Sequence, residues 1–209
     1  MRPVAALFLT PFSLLYQRFS QALGSATLRA AAFRVNMNES FLLESPDLAE
    51  VSLRSAGPSD CEDLRRWKND NRQYFFFKDL ITPERQRAWF DGYRERADDW
   101  MFMVLDRGQA VGCMGFRLRD GEADVYNVIL GHLDRGGRGV MAKGMALMCS
   151  FARERLGCPV VARVLKVNPA MGWYQKRGFA VTAEEDVHYF IRLADGFAPV
   201  PLVRKEIDA

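Results

Sequence analysis

The amino-acid sequence predicts an α/β fold, in which a mixed but mostly antiparallel sheet of six to seven strands is flanked by about four helices. Three observations predict it: strand and helix patterns alternate from residue 50 onward, short turn signals join three consecutive strand patterns, and a glycine-rich segment separates a strand from a helix. A length of 209 residues with 49% hydrophobic residues suits one globular domain with appendages.

The domain opens with a strand and two helices. Residues 51–54 alternate apolar and polar side chains, which is typical of a strand. Ser59 and Glu62 have the spacing of a capping box, so we predict a helix that starts there and continues through Trp67. A second helix is predicted to start at Thr82, because proline follows it at the first helical position.

Three strands joined by tight turns come next, at residues 100–105, 110–119 and 122–130. Residues 106–108 form the first turn, and the Asp-Gly pair at 120–121 is among the strongest local signals for a hairpin. These features predict a three-stranded antiparallel meander.

The second half of the domain continues the alternation. Residues 140–156 repeat apolar side chains every three or four positions, which predicts a helix whose methionine-rich stripe packs in the core. A β-branched run at 160–167 predicts a buried strand, and residues 169–177 predict a short helix ended by glycine. Strands at 179–182 and 187–193 complete the pattern.

The segment DRGGRGVMAKG, residues 134–144, lies between a predicted strand and a predicted helix. Its four glycines allow close backbone approach, and the N-terminus of the following helix offers unpaired N–H groups and the positive end of its dipole. This arrangement binds phosphate, although a flexible glycine turn before a helix is nearly as common. The segment is not a Walker loop, which requires lysine directly after its second glycine.

A second motif lies in VLKVNPAMGWYQKRGF, residues 164–179. It matches the pattern N-x-A-x-x-x-Y-x-K-x-G-F at Asn168, Ala170, Tyr174, Lys176, Gly178 and Phe179. Together with the glycine loop, this pattern resembles the GNAT superfamily of N-acetyltransferases. The stretches 64–70 and 81–90 also resemble the early helices of members that act on amino sugars or on ribosomal-protein N-termini. The resemblance spans residues 50–193 and implies a GNAT-type sheet.

One departure concerns the family's loop pattern, R/Q-x-x-G-x-G/A. When Gly139 is aligned with its first glycine, Gly136 stands at the Arg/Gln position and Met141 at the final small position. Arg135 and Ala142 stand one step away from those two positions. The departure bears on the geometry of the loop more than on the fold.

The resemblance implies acetyl-CoA as co-substrate and assigns roles to residues. Tyr174 is expected to protonate the coenzyme A thiolate and Asn168 to hydrogen-bond the cofactor, while the alternatives are a core aromatic and a helix cap. The pyrophosphate is expected on Gly137, Arg138, Gly139, Val140, Met141 and Ala142. Backbone groups of Val128, Ile129 and Leu130 are expected to pair with the pantetheine arm like an added strand.

The attacking amine must lose a proton, because a free alkylammonium has a pKa of about 10. Asp124 is the strand carboxylate that we expect to order a water for this step. Glu122 and His188 are alternatives, and direct loss to water is a third. The base therefore stays open.

The acceptor is expected to contact the first two helices and the neighbouring strand, at Trp67, Asn69 and Tyr126. The aromatic run at residues 74–77 adds surface that could stack a sugar or a base, although such runs more commonly pack a domain.

These expectations describe an N-acetyltransferase that acts on a primary amine, such as that of a nucleotide-linked amino sugar. Two alternatives stay open: acetylation of protein N-termini or lysines, and a non-catalytic acyl-CoA-binding module. A homodimer is compatible with either enzyme.

Composition disfavours other classes. Four of the 29 basic residues precede Glu39, which leaves 25 against 26 acidic residues and no charge signature for nucleic acid. The four cysteines form no C-x-x-C pair, and with two histidines in the chain no metal site is expected.

Residues 1–49 are predicted to be an N-terminal extension and 194–209 a C-terminal tail. The apolar stretch at 4–16 is too short to span a bilayer, which takes about 20 residues. A signal peptide, a transit peptide and an amphipathic surface helix stay open beside a start at Met37. Because export would separate the enzyme from acetyl-CoA, we expect a cytoplasmic location.

Overall fold

The computed structural model describes residues 40–207, so the predictions for the segment before Ser40 lie outside the described residues. The strands of this region are β1 (Phe41–Glu44), β2 (Val51–Ser55), β3 (Asp99–Asp106), β4 (Gln109–Arg119), β5 (Glu122–Leu130), β6 (Val160–Leu165), β7 (Phe179–Glu184), β8 (His188–Leu193) and β9 (Val203–Glu206). Its α-helices are α1 (Cys61–Asp70), α2 (Pro83–Arg94), α3 (Val140–Ser150) and α4 (Met171–Gln175). None of these helices is long and apolar enough to cross a membrane.

The strands form one sheet in the order β7-β8-β6-β5-β4-β3-β2-β1-β9. Neighbours are antiparallel except β5 and β6, which run parallel. The predicted mixed, mostly antiparallel sheet with four helices is confirmed. The sheet has nine strands instead of six to seven because β1 and β9 pair with each other outside residues 50–193. The charged sequence of β9, VRKE, lacks the apolar alternation that marks a strand.

Tight turns join β3, β4 and β5, as predicted, but the first has two residues because Asp106 belongs to β3. Arg107 and Gly108 have φ values of 52° and 81°, and Asp120 and Gly121 have φ values of 52° and 80°. Two consecutive positive φ angles are typical of type I′ turns, whose twist matches that of the flanking strands.

Helices cover both faces of the sheet. On β3, Phe102 and Val104 belong to the apolar cluster that includes α3, whereas Met101 and Met103 belong to the cluster that includes α1 and α2. Because successive residues of a strand point to opposite faces, the two clusters lie on opposite sides. The predicted helix 140–156 is divided: α3 is followed by a π-helical turn, Phe151–Arg155.

The starts of α1 and α2 differ in their agreement with the sequence. The Thr82 hydroxyl accepts the Arg85 N–H at 3.3 Å, so the predicted cap of α2 is confirmed. The capping box predicted at Ser59 is wrong. The Asp60 carboxylate accepts the Gly57 N–H at 2.7 Å instead and holds the turn before α1.

Candidate active site

Strands β5 and β6 separate and open a cleft. In the described region, residues 123–125 of β5 pair with residues 160–162 of β6. Both strands continue beyond this contact, to Leu130 and Leu165. Within residues 40–207, the β5 edge that faces β6 after Val125 therefore has no strand partner and can pair with another extended chain.

A β-bulge bends β5 at the cleft. Between the pairs Cys113–Ile129 and Gly115–Tyr126, β5 carries one residue more than β4. Asn127 lies in this bulge with a φ of 50°, in the left-handed region that asparagine tolerates better than most residues. Bulges strengthen the local twist and redirect side chains, and they are frequent beside active sites.

The cleft contains a cavity of about 800 Å³, within the range of about 300–1,000 Å³ that is usual for small-molecule sites. Most of the residues predicted to bind the cofactor line it: Val128, Ile129, Leu130, Gly137, Gly139, Val140, Met141, Ala142, Asn168 and Tyr174. Arg138 is exposed and lies outside the lining, whereas Arg135 belongs to it.

The glycine loop adopts a conformation suited to phosphate. Gly137 and Gly139 have φ values of 76° and 75°, which residues with a side chain rarely adopt. Gly139 is the N-cap of α3 and offers no side-chain acceptor, and the first turn of α3 carries no acidic residue. The first N–H groups of α3 are therefore available to an anion at the positive end of the helix dipole.

Tyr174 lies on α4, 8% exposed, and faces the cavity between the rings of Trp173 and Phe179. Burial raises the pKa of Tyr174 well above its ordinary value, and Cys149 adds to the shift. Among the described residues its hydroxyl has no hydrogen-bond partner. The phenol stays protonated at neutral pH and is free to donate its proton.

The comparisons identify the family. Residues 50–180 match the family model described as an acetyltransferase (GNAT) domain. The chain belongs to the GNAT acetyltransferase family. As a GNAT enzyme it is an acetyl-CoA-dependent N-acetyltransferase that acts on amines. No curated protein sequence matches the chain at a significant level.

Three solved structures are among those similar to this GNAT fold. Apo FdhC, a nucleotide-linked sugar GNAT, has a TM-score of 0.59 at 15% identity, covering 68% of this chain and 85% of its own. RimL, a ribosomal L7/L12 alpha-N-protein acetyltransferase, has 0.57 at 14%, covering 79% and 95%. Spermidine N-acetyltransferase from Vibrio cholerae, in complex with CoA and spermine, has 0.59 at 14%, covering 76% and 96%. At these identities the likeness shows the fold alone.

The side chains of Asn168 and Tyr126 line the cavity and also form hydrogen bonds within the domain. The Asn168 side-chain oxygen accepts the Ala170 N–H at 2.9 Å, so it caps the turn that leads into α4 while it lines the cavity. The Tyr126 hydroxyl donates to Asp99, which is 0% exposed. Burial, reinforced by Asp99, raises the pKa of Tyr126 well above 10, so Tyr126 offers the cavity its ring.

The structure does not bring Trp67 and Asn69 to the cavity, which corrects the expectation that they bind the acceptor. Trp67 is 2% exposed and packs so closely on Gly131 that an added Cβ there would lie 2.0 Å from its ring. The Asn69 side chain bonds both the N–H and the C=O of Ile81, at 2.9 and 3.0 Å. Both residues hold α1 and the segment after it in place.

The three candidate bases also lie outside the cavity lining. The Asp124 carboxylate accepts a hydrogen bond from Arg163 at 2.9 Å, and Glu122 is paired with Arg192. His188 packs edge-on against Phe76, with ring centroids 5.3 Å apart. Asp124 therefore does not contact the cavity directly, as its predicted role in proton transfer would require.

Lys68 is a cavity residue that was not predicted from the sequence, as are Arg163 and Arg177. Its ammonium nitrogen donates to the Asn127 side-chain oxygen and lies 3.1 Å from the centroid of the Phe75 ring. Burial lowers the pKa of Lys68 to about 7. A signal existed, because Lys68 follows Leu64 by four residues and so occupies the apolar stripe of its helix.

Proposed function

We propose that this enzyme transfers the acetyl group of acetyl-CoA to the primary amine of a small anionic molecule, such as a nucleotide-linked amino sugar. The observation that carries the proposal is the charge of the cavity. Three guanidinium groups line it, on Arg135, Arg163 and Arg177, and no described lining residue is acidic. Guanidinium groups stay protonated at any physiological pH, so this charge is permanent.

The residues of the loop and of β5 suit coenzyme A. In this proposal the N–H groups from Gly137 to Ala142 hold the pyrophosphate, and the unpaired edge at Val128 to Leu130 pairs with the pantetheine arm. The thioester then lies near Tyr174, whose proton goes to the departing thiolate. Asn168 hydrogen-bonds the cofactor while its side-chain oxygen holds the turn before α4.

The charge of the cavity favours an anionic acceptor over a polyamine. Arg135 pairs with Asp106 and Asp134, and Arg163 pairs with Asp124, although none of these carboxylates lines the cavity. Among the described residues Arg177 has no acidic partner. Arg163 also lies over the Phe76 ring, 6.0 Å from its centroid. Guanidinium groups beside aromatic rings suit a molecule that combines phosphate with a flat ring. A polycation would enter without a counter-charge.

A paired acceptor screen tests the proposal. Calorimetry first measures coenzyme A binding, and thiol release is then followed with UDP-glucosamine, glucosamine, spermidine and a peptide with a free N-terminus. We expect UDP-glucosamine to be acetylated fastest and spermidine slowest. Preference for spermidine would contradict the charge argument, preference for the peptide would indicate protein acetylation, and binding without product would indicate an acyl-CoA-binding module.

Arg163→Gln tests the role of the charge directly. Losing a hydrogen bond to a charged group costs about 1.5–3 kcal/mol, so we expect KM for UDP-glucosamine to rise about tenfold or more, with little change for glucosamine. Arg192→Gln is the matched control, because Arg192 pairs with Glu122 outside the cavity. Equal losses for both acceptors would show that Arg163 acts only on the structure.

The same proposal places the reaction in the cytoplasm, where acetyl-CoA is available to the enzyme.

A further inference from the structure

We propose that Lys68 is the general base of acetyl transfer: its neutral amine takes a proton from the ammonium group of the bound acceptor. The inference rests on the proposed function and goes beyond it, because it assigns the one chemical step that neither Tyr174 nor the glycine loop can perform. Lys68 lies on the cavity wall beside the bulge of β5, where the thioester is expected.

The contacts of Lys68 place its nitrogen between an amide oxygen and an aromatic ring. Asn127 supplies a neutral oxygen acceptor, and the Phe75 ring covers the nitrogen at 3.1 Å from the centroid. In the part of the chain that the structure describes, Lys68 forms no ion pair with a carboxylate. A neutral lysine amine has two N–H bonds and one lone pair. Asn127 and the ring face the N–H bonds, and the lone pair remains for a proton.

The surroundings make the neutral form accessible at physiological pH. Removal from water disfavours the ammonium form and lowers the pKa of Lys68 to about 7. The Cys113 thiol on β4 would raise the pKa of Lys68 if it were ionised, but burial raises the pKa of that thiol to about 12, so it is neutral at physiological pH. Tyr126 on β5 and Arg163 on β6 line the same cavity. A base works best when its pKa is near the working pH.

The proton balance is complete with the groups that the cavity contains. Lys68 takes one proton from the acceptor ammonium, and the neutral amine then forms a C–N bond with the thioester carbon as the C–S bond breaks. Tyr174 gives its proton to the thiolate. The nitrogen loses a second proton, which replaces the one that Tyr174 gave, and Lys68 releases the first to solvent. The permanent positive charge of the cavity also helps the acceptor ammonium to lose its proton.

The first test measures the pKa of Lys68 in the absence of an acceptor. The folded protein is labelled with trace acetic anhydride at pH values from 5 to 11, and the labelling of each lysine is measured by peptide mass spectrometry. We expect the reactivity of Lys68 to level off just above pH 7, far below the pKa of about 10.4 of an unperturbed lysine. A midpoint near 10 for Lys68 would overturn the proposal.

The second test uses the pH dependence of kcat/KM with the best acceptor of the paired screen. The wild-type enzyme should gain activity up to about pH 7 and then level off. Arg cannot lose its proton, so Lys68→Arg should lower kcat/KM by about 100-fold or more at pH 7.5. Lys68→Met should lose the plateau and continue to gain activity at higher pH, as the free amine becomes available. Both variants should bind coenzyme A normally, and Lys78→Met should behave like the wild type.

The outcomes separate the two proposals. An unchanged pH limb in Lys68→Met would overturn the base role and leave the proposed function intact, because Lys68 would then act only on structure or KM. A folded protein that releases no thiol with any amine would overturn the function and the base role together.

Discussion

Two charged side chains of the same domain are removed from water in opposite ways. Asp99 is fully buried, and its carboxylate receives hydrogen bonds from Arg96, Arg117 and the Tyr126 hydroxyl. Lys68 is partly buried against Phe75, with one neutral acceptor and no ion pair among the described residues. Hydrogen bonds from charged and polar donors compensate the charge of Asp99, whereas no opposite charge among the described residues compensates that of Lys68.

The difference separates structure from chemistry. A buried charge with several partners mainly affects stability, because its removal leaves each buried partner without its hydrogen-bond counterpart. A poorly compensated charge lowers the stability of the fold, and proteins keep such groups mostly where a shifted pKa is used. The comparison predicts that changes at Asp99 affect stability first, whereas changes at Lys68 and Tyr174 affect turnover first.

The largest expected effect on stability is that of Asp99→Ala. Removing one member of a buried ion pair typically costs about 3–5 kcal/mol, here because Arg96 and Arg117 lose their common partner. Urea unfolding followed by circular dichroism measures the change. Asp98→Ala, at the exposed neighbouring position, serves as control and should change the free energy of unfolding by less than about 0.5 kcal/mol.

Two of the tyrosines that line the cavity, Tyr174 and Tyr126, sharpen the comparison. Loss of a general acid typically lowers the rate by about 100-fold or more, so Tyr174→Phe should lower kcat by that factor with normal coenzyme A binding and stability. Tyr126→Phe removes a donor from Asp99 and should lower stability by about 1–3 kcal/mol. Stopped thiol-release assays and urea unfolding of both variants measure the two effects. Wild-type turnover in Tyr174→Phe would remove the acid role.

The smallest effect is a gain in stability for Lys68→Met. The folded state lowers the pKa of Lys68 from 10.5 to about 7, so the full cost of burying its charge is present below pH 7 and declines as the pH rises toward 10.5. The substitution should therefore stabilise the protein by about 1–2 kcal/mol below pH 7, and by little at pH 10. Thermal unfolding at several pH values measures the gain, with Lys78→Met as the unaffected control. A gain independent of pH would show that the charge of Lys68 is not its cause.

Local signals predicted much of the fold and the part of the cavity wall that the glycine loop and Tyr174 form. The Asp-Gly turn at 120–121 required two positive φ angles, and the chain adopts them. The glycine loop and Tyr174 carry a motif of fixed spacing, so their place along the chain also fixes which elements present them. In these cases a few residues that are close in sequence determine the local structure.

The acceptor side depends on how a helix is rotated, which spacing alone does not decide. Trp67, Lys68 and Asn69 are consecutive, yet Trp67 packs on Gly131, Lys68 enters the cavity and Asn69 bonds Ile81. Consecutive helical residues point about 100° apart, so an error of one position exchanges a packing residue for a cavity residue.

Contacts between distant residues explain the remaining differences. Asp99 accepts hydrogen bonds from residues that are 3, 18 and 27 positions away in the sequence, and no local sequence pattern predicts that cluster. The two outer strands likewise pair residues of opposite ends of the domain, with Phe41 opposite Glu206. Both results come from the folded sheet as a whole.

That outer pairing has a practical consequence. The Ile207 N–H donates to the Ser40 carbonyl at 3.0 Å, which extends the β1–β9 pairing by one more hydrogen bond. This pairing lies several strands from the gap between β5 and β6. A substitution that weakens it should therefore loosen that edge of the sheet and leave the cavity walls intact.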